Sequence, residues 1–188
     1  DAVDLRFDLD PERTRVTTTF GFRRNPAPGA DTHAALILDG EQQQDVAVAL
    51  DGVPLPPSRY RVSERDLFLR ITLFPSRPDV RAVYTVTLVA DRARYPVLLS
   101  NGNRVGTGDA GNGRHFVRWH DPFPKPSYLF ALVAGDLAAL TDRFTTVSGR
   151  TVALEIWSTP ANLDRCRHAM ASLQRAMTRV ETDVAILT

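Results

Sequence analysis

Strict alternation of apolar and polar residues is the feature that most limits how this chain of 188 residues can fold. The segments from Val3 to Leu9 and from Ala82 to Leu88 carry an apolar residue at every second position. This period of two is typical of strands with one buried face. Turn signals separate such segments, at Asp39-Gly40, Asp51-Gly52 and Ser148-Gly149. About ten short strands of this kind, with no strand–helix alternation, predict an all-β fold, an antiparallel β-sandwich.

One helix is predicted after the strands, from Pro160 to about Val180. Thr159 is suited to cap its first turn, with Pro160 at the first helical position. The sequence therefore predicts a β-sandwich domain over residues 1–158 and a helix over residues 159–188. Apolar residues recur along one stripe of this helix, which indicates an interface. The candidate interface residues are Leu163, Met170, Leu173, Met177 and Val180, with Cys166 on the same stripe.

Composition excludes several classes of partner. The 23 basic and 22 acidic residues leave a net charge of +1, and Lys and Arg form no tract. We therefore expect no nucleic-acid partner and no membrane partner. The longest apolar run, Tyr128 to Ala134, is too short to span a bilayer. The single cysteine, Cys166, excludes an internal disulfide and favours a reducing, cytoplasmic location.

The hexapeptide GTGDAG, from Gly106 to Gly111, matches the G-x-G-x-x-G pattern of dinucleotide-binding loops. Such a loop needs a helix directly after the glycines, because the helix N-terminus binds the pyrophosphate. The residues that follow, Arg114 to Trp119, alternate instead and predict a strand. We therefore expect a solvent-facing hairpin loop here, and no cofactor-binding residues.

No set of residues has the spacing of a catalytic or metal centre. The sequence contains no H-E-x-x-H and no G-x-S-x-G. His115 and His120 would point to opposite faces of a strand, and Cys166 and His168 to different faces of a helix. The expectation is a buried cysteine, solvated or hydrogen-bonded histidines, and no catalytic or metal-ligating residues in this chain.

The segment DPFPKP, from Asp121 to Pro126, carries a proline at every second position. Proline fixes φ and pushes the residue before it into extended geometry, so this segment, called the strap below, is a stiff extended connection. It leads into Tyr128 to Ala134, which is apolar on both faces, as expected of a central strand covered on both sides. Two interpretations of the strap stay open. Local signals favour a rigid connection inside the core over a surface that docks to another domain.

Several of these segments resemble the N-terminal region of bacterial aminopeptidase N, the alanyl aminopeptidases of the M1 zinc metallopeptidase family. The likeness covers most of Val3 to Met177, and DPFPKPSYLFALVAGD is its longest and most specific part. The matching segments are YPVLLSNGNRV, NGRHFVRWHDPFPKPSYLFALVAGD, FTTVSGRTVALEIWS and NLDRC, with VDLRFDLD and RPDV as shorter matches.

The resemblance implies a β-sandwich that packs as a saddle or lid beside a thermolysin-like catalytic domain. That domain would hold the zinc in H-E-x-x-H with a downstream Glu, and would bind the substrate amino group with a G-A-M-E-N loop. This sequence carries none of these motifs, so zinc and peptide substrate are expected only in the parent enzyme. The NLDRC helix resembles the first helix at the junction with the M1 catalytic domain, which is absent here.

Two departures from the family pattern bear on function. Family members carry a Q-C-E-A-E-G-like segment, whose Gln and Glu approach the substrate amino terminus. In this chain Leu69 runs directly into Arg70-Ile71-Thr72, where that segment would be inserted. Residues Thr178 to Thr188 also depart from the charged W-D-E-like continuation of the family. We therefore expect a truncated member of the family, or one that has lost segments.

Two functions remain open at this point. The first is a non-catalytic N-terminal domain of an M1 zinc aminopeptidase, which shapes access to an active site carried elsewhere. The alternative is a stand-alone β-sandwich module that binds another partner. In both cases the isolated chain is expected to be inactive, because a catalytic zinc needs three protein ligands and a water. Its helix is expected to mediate self-association, or to fold back or fray.

Overall fold

The computed structural model describes residues 2–22, 44–60 and 81–187, with side chains through residue 181. Short 3₁₀ turns lie at Pro57–Arg59 and Ser127–Leu129. A longer one at Pro160–Cys166 leads into the helix α1 (Arg167–Leu187). The predicted all-β fold with one C-terminal helix is confirmed. The strands are β1 (Ala2–Asp8), β2 (Arg15–Phe20), β3 (Ala49–Leu50), β4 (Val53–Pro54), β5 (Ala82–Asp91), β6 (Val97–Ser100), β7 (Asn103–Gly111), β8 (Arg114–Lys125), β9 (Leu132–Gly135), β10 (Ala138–Thr145) and β11 (Thr151–Ser158).

Five strands form the main sheet, in the order β2-β1-β5-β8-β7. The pairings β1–β2, β5–β8 and β7–β8 are antiparallel, as predicted. The central pairing of β1 with β5 is parallel, with Leu5 opposite Val86, so the main sheet is mixed and not antiparallel throughout. A parallel pair needs a long crossover connection, and the chain between β2 and β5 is long enough to supply one.

The hydrophobic core lies on one face of the main sheet. Alternate residues of β1, β5 and β8 point to this face, and Leu5, Val86 and Leu88 are almost completely buried there. The β6–β9 ladder covers the same face, because Leu98 belongs to this core while Leu132 packs against it. Each fully buried aliphatic side chain contributes about 1.5–3 kcal/mol, so this two-layered core is the main source of stability.

Tight turns form where the sequence predicts them. Asp51 and Gly52 have φ values of 50° and 80° and join β3 to β4. Gly149, with a φ of 82°, lies in the turn between β10 and β11. Both positions use the left-handed conformation that Asp-Gly and Ser-Gly turns favour. The predicted turn at Asp39-Gly40 and the predicted strand from Leu67 to Leu73 lie outside the described residues.

The C-terminal helix packs along the β10–β11 hairpin. The side chain of Gln174 donates hydrogen bonds to Asp142 Oδ2 (3.0 Å) and to the carbonyl oxygen of Arg143 (3.3 Å). Six residues before the helix end, Glu181 Oε2 accepts the backbone N–H of Val147 (3.1 Å). Thr159 occupies the N-cap position, but its hydroxyl accepts a bond from the side chain of Asn162 and caps no backbone N–H. The division into domains at residue 158 stays a prediction.

Candidate functional site: the helix stripe and the strap

The predicted helix stripe divides into a buried part and an exposed part. Met170 is only 4% exposed, whereas Leu163 and Met177 are half-buried. Leu173 is 38% and Val180 is 62% exposed. The five candidate interface residues therefore do not form one free surface. The helix folds back on the β10–β11 hairpin through Met170, and leaves Leu173 and Val180 facing solvent.

The glycine-rich hexapeptide lies in a strand and not in a loop, which corrects the prediction for Gly106 to Gly111. These residues belong to β7, which pairs with β8, and the hairpin turn comes afterwards at Asn112 and Gly113. The segment after the turn is a strand, as predicted. A close approach explains Gly108: a Cβ atom there would lie 2.6 Å from Cε1 of Phe116. The glycine makes room for an aromatic ring of the neighbouring strand.

The histidines of β8 point to opposite faces of the main sheet, as predicted. His115 is buried on the core side, where Nε2 lies 2.8 Å from the carbonyl oxygen of Tyr95. His120 lies on the other face, with Nδ1 3.0 Å from the hydroxyl of Thr85. On the helix, Cys166 is half-buried and its thiol contacts the carbonyl oxygen of Asn162. Within the described residues no group of His, Cys, Asp and Glu side chains has the arrangement of a metal site.

Charged side chains line one open cavity of about 500 Å³, formed by Asp8, Asp10, Arg13, Arg15 and Arg114. The guanidinium of Arg114 donates to the carbonyl oxygens of Leu9 (3.4 Å) and Val89 (3.2 Å) and lies 3.8 Å from Asp8. Asp10 accepts the backbone N–H groups that follow it in the turn. These contacts connect the ends of β1, β5 and β8. The charged residues that line the cavity are therefore explained by their role in stabilising the fold.

The strap is fixed by a buried ion pair that the sequence reading missed. Lys125 is 9% exposed, its ammonium group pairs with the carboxylate of Asp121, and it lies 5.7 Å from the ring centre of Tyr84. Asp121 also accepts the backbone N–H of Phe123 (3.1 Å). Burial lowers the pKa of Lys125 and raises the pKa of Tyr84, because each charged form loses hydration. The i, i+4 spacing of opposite charges around the prolines was the only signal in the sequence.

Several apolar side chains of the strap and of the segment after it face solvent, although Pro126 is buried and Phe130 and Leu132 pack against the core. Phe123 is 76% exposed, Tyr128 is 72% exposed and Leu129 is 52% exposed. The prediction of a buried central strand from Tyr128 to Ala134 is therefore wrong: only Leu132–Gly135 forms a strand, and it pairs with the short strand β6. The strap is extended, as predicted, but it is not a connection inside the core.

Comparison with known proteins relates this chain to aminopeptidase N. Over 216 aligned residues and 92% of its length, the chain is 40% identical to aminopeptidase N of Caulobacter vibrioides. Over 93% of its length it is also 40% identical to aminopeptidase N of Escherichia coli. The chain is a homologue of one region of aminopeptidase N. The match spans about 24% of the length of these curated relatives and fits the N-terminal domain that the sequence resemblance indicates.

A solved structure supports the relationship between the chain and the aminopeptidases. The fold matches Legionella pneumophila aminopeptidase A, solved in complex with aspartic acid, with a TM-score of 0.75 and 29% identity. The match covers 94% of this chain and 26% of that structure. No family model matches the sequence. Within the described part of the chain, no helix has the length and apolar character that a membrane span requires.

The alignments also bear on the Q-C-E-A-E-G-like segment, which is expected to be missing from this chain. The alignment with the Caulobacter aminopeptidase N runs over 216 residues, which is more than the 188 residues of this chain. The relative must therefore hold residues that have no counterpart here. The expected position of the gap, between Leu69 and Arg70, lies outside the described residues.

Proposed function

We propose that this chain is the non-catalytic N-terminal domain of an M1-family zinc aminopeptidase, an enzyme that removes N-terminal amino acids from peptides. Its role is to shape access to an active site on the rest of the parent polypeptide. The observation that carries this proposal is the pairing of 40% identity over 92% of the chain with a match to only 24% of aminopeptidase N. The chain thus corresponds to one structural unit of a much larger enzyme.

The described residues of this chain do not fit a zinc ion. The two histidines of β8 lie on opposite faces of the main sheet, and each has a hydrogen-bonding partner of its own. The sequence also lacks the H-E-x-x-H motif that supplies two zinc ligands in this class of enzyme. We therefore assign zinc and peptide substrate to the parent enzyme, and we propose a cytoplasmic location for it.

The exposed part of the helix stripe is the proposed junction with the catalytic domain. Leu173 and Val180 face solvent, whereas Met170 on the same stripe is buried. In the parent enzyme the catalytic domain would cover the two exposed positions. In the isolated chain the same positions are available for self-association, since exposed apolar side chains on one helix face mark an interface.

The reading frame beyond Thr188 tests this function. A continuation that encodes G-A-M-E-N and H-E-x-x-H supports a domain of an aminopeptidase. A frame that stops without these motifs would contradict the proposal and would leave the stand-alone binding module as the explanation of the fold.

A further inference from the structure

The chain from Asp121 to Ala131 is held at both ends. Its first part, through Lys125, belongs to β8, where Asp121 lies opposite Tyr84 and Lys125 lies opposite Ala82 of β5. At the first end, the buried Lys125–Asp121 pair fixes the strap, and three prolines fix its φ angles. At the second end, the side chain of Asn101 donates to the carbonyl oxygen of Leu129 (3.3 Å) and accepts the N–H of Ala131 (2.7 Å). The hydroxyl of Ser100 donates to the carbonyl oxygen of Ala131 (2.8 Å).

Between these two ends, one aromatic ring points into the core. The ring of Phe130 stacks on Phe7, with the ring centres 6.0 Å apart and the planes 12° apart. It also lies 6.0 Å from the ring centre of Tyr84. The two residues just before it, Tyr128 and Leu129, are exposed instead.

We call the exposed apolar residues of this segment, Phe123, Tyr128 and Leu129, the strap surface. Each is more than half exposed. A mobile loop would lose conformational entropy when its apolar side chains were covered, but this backbone is already ordered. Rigid, exposed aromatic side chains are the usual anchors of protein interfaces, because they bury a large area at small entropic cost. The arrangement is therefore that of a preformed contact surface.

We propose that the strap surface is a contact with the remaining polypeptide of the parent aminopeptidase, in addition to the helix stripe. This inference rests on the proposed function. We choose the remaining polypeptide as the partner because the curated relatives extend well beyond the 24% of their length that this chain matches. Charge agrees with this choice: the two charged residues of the strap, Asp121 and Lys125, pair with each other, so the strap fits an apolar partner.

Hydroxyl-radical footprinting of the complete polypeptide and of the isolated 188-residue chain tests the proposal. We expect Phe123 and Tyr128 to be labelled strongly in the isolated chain and several-fold less in the complete polypeptide. Val53, which is 64% exposed in β4, serves as the reference side chain. Equal labelling of Phe123 and Tyr128 in the two proteins would overturn the proposal while leaving the proposed function intact.

A pair of variants separates docking from simple stability. The double variant Phe123→Ser/Tyr128→Ser should lower the melting temperature of the complete polypeptide and leave that of the isolated chain unchanged. The control variant Val53→Ser, at an exposed apolar position in β4, should change neither. An equal loss in both proteins would mean that the two side chains serve only the fold of this chain. Protection that rises with concentration in the isolated chain would identify a second copy as the occupant and overturn our choice. A reading frame that stops at this chain would remove the occupant, and with it both proposals.

Discussion

Phe116 on β8 packs its ring against Gly108 on β7 so closely that a Cβ atom on the glycine would lie 2.6 Å from Cε1 of the ring. Two residues earlier in the same strand, a Cβ on Gly106 would meet its nearest neighbour, Cβ of Arg118, at 3.8 Å. Gly106 and Gly108 therefore differ, because of these two only Gly108 is required by packing.

The first prediction follows from this difference. Gly108→Ala should destabilise the chain by about 1–3 kcal/mol, the usual range for overpacking a close contact. Gly106→Ala, the matched control in the same strand, should be neutral or slightly stabilising, because alanine restricts the unfolded chain. Urea unfolding of the two variants measures the difference. Equal stability of both would show that the Phe116 ring moves aside freely.

The second prediction concerns the buried pair of the strap. The side chains of Lys125 and Asp121 are 11% and 15% exposed, so removal of one partner leaves the other charge poorly solvated. Lys125→Met should therefore destabilise the chain by about 3–5 kcal/mol. The double variant Asp121→Asn/Lys125→Met should recover a large part of that loss, because no unpaired charge remains. A double variant less stable than Lys125→Met would contradict a role for the ion pair.

The third prediction concerns acid stability. The backbone N–H groups of Arg13 and then Glu12 lower the pKa of Asp10 below its usual 3.8, because both donate to its carboxylate. A lowered pKa in the folded state stabilises the fold above pH 3.8, and this contribution is lost as the pH falls through the folded pKa.

Asp10→Asn should therefore be less stable than the unchanged chain at neutral pH, and the gap should shrink as the pH falls below 3.8. Chemical unfolding over a series of pH values measures the gap, with Glu12→Gln as the control from the same turn. A gap that stays constant at acid pH would exclude this role for the Asp10 carboxylate.

The fourth prediction concerns the exposed part of the helix stripe. Leu173→Glu places a charge on the face that Leu173 and Val180 leave open, so it should abolish concentration-dependent self-association of the isolated chain. Ala171→Glu changes an exposed position off this stripe and should leave self-association unchanged. Sedimentation velocity of both variants makes the comparison. A well-ordered monomer at high concentration, with the helix protected from hydrogen exchange, would show that the stripe needs no partner.

Sequence patterns predict those features that depend on interactions between residues close together in the chain. Hairpin partners and turns were predictable, because alternation and pairs such as Asp51-Gly52 act between neighbours in sequence. The parallel pairing of β1 with β5 was not, since an alternating pattern specifies a buried face and leaves the partner strand and its direction open.

The prediction of a buried strand after the strap is wrong for a related reason. The run from Tyr128 to Ala134 is apolar throughout, but local hydrophobicity does not say which residues reach the core. Phe130 is directed inward by its stacking on Phe7 and Tyr84, and Tyr128 is left outside. The spacing of Asp121 and Lys125 is visible in the sequence, but the burial of this pair beside Tyr84 of β5 is visible only in the structure.

The most direct test of the central claim is an activity and metal assay of the purified, tag-free chain of 188 residues. A non-catalytic N-terminal domain should hydrolyse no aminoacyl substrate above background, with or without added zinc, and metal analysis should find no stoichiometric zinc. One tightly held zinc per chain, together with aminopeptidase activity above background, would contradict the account.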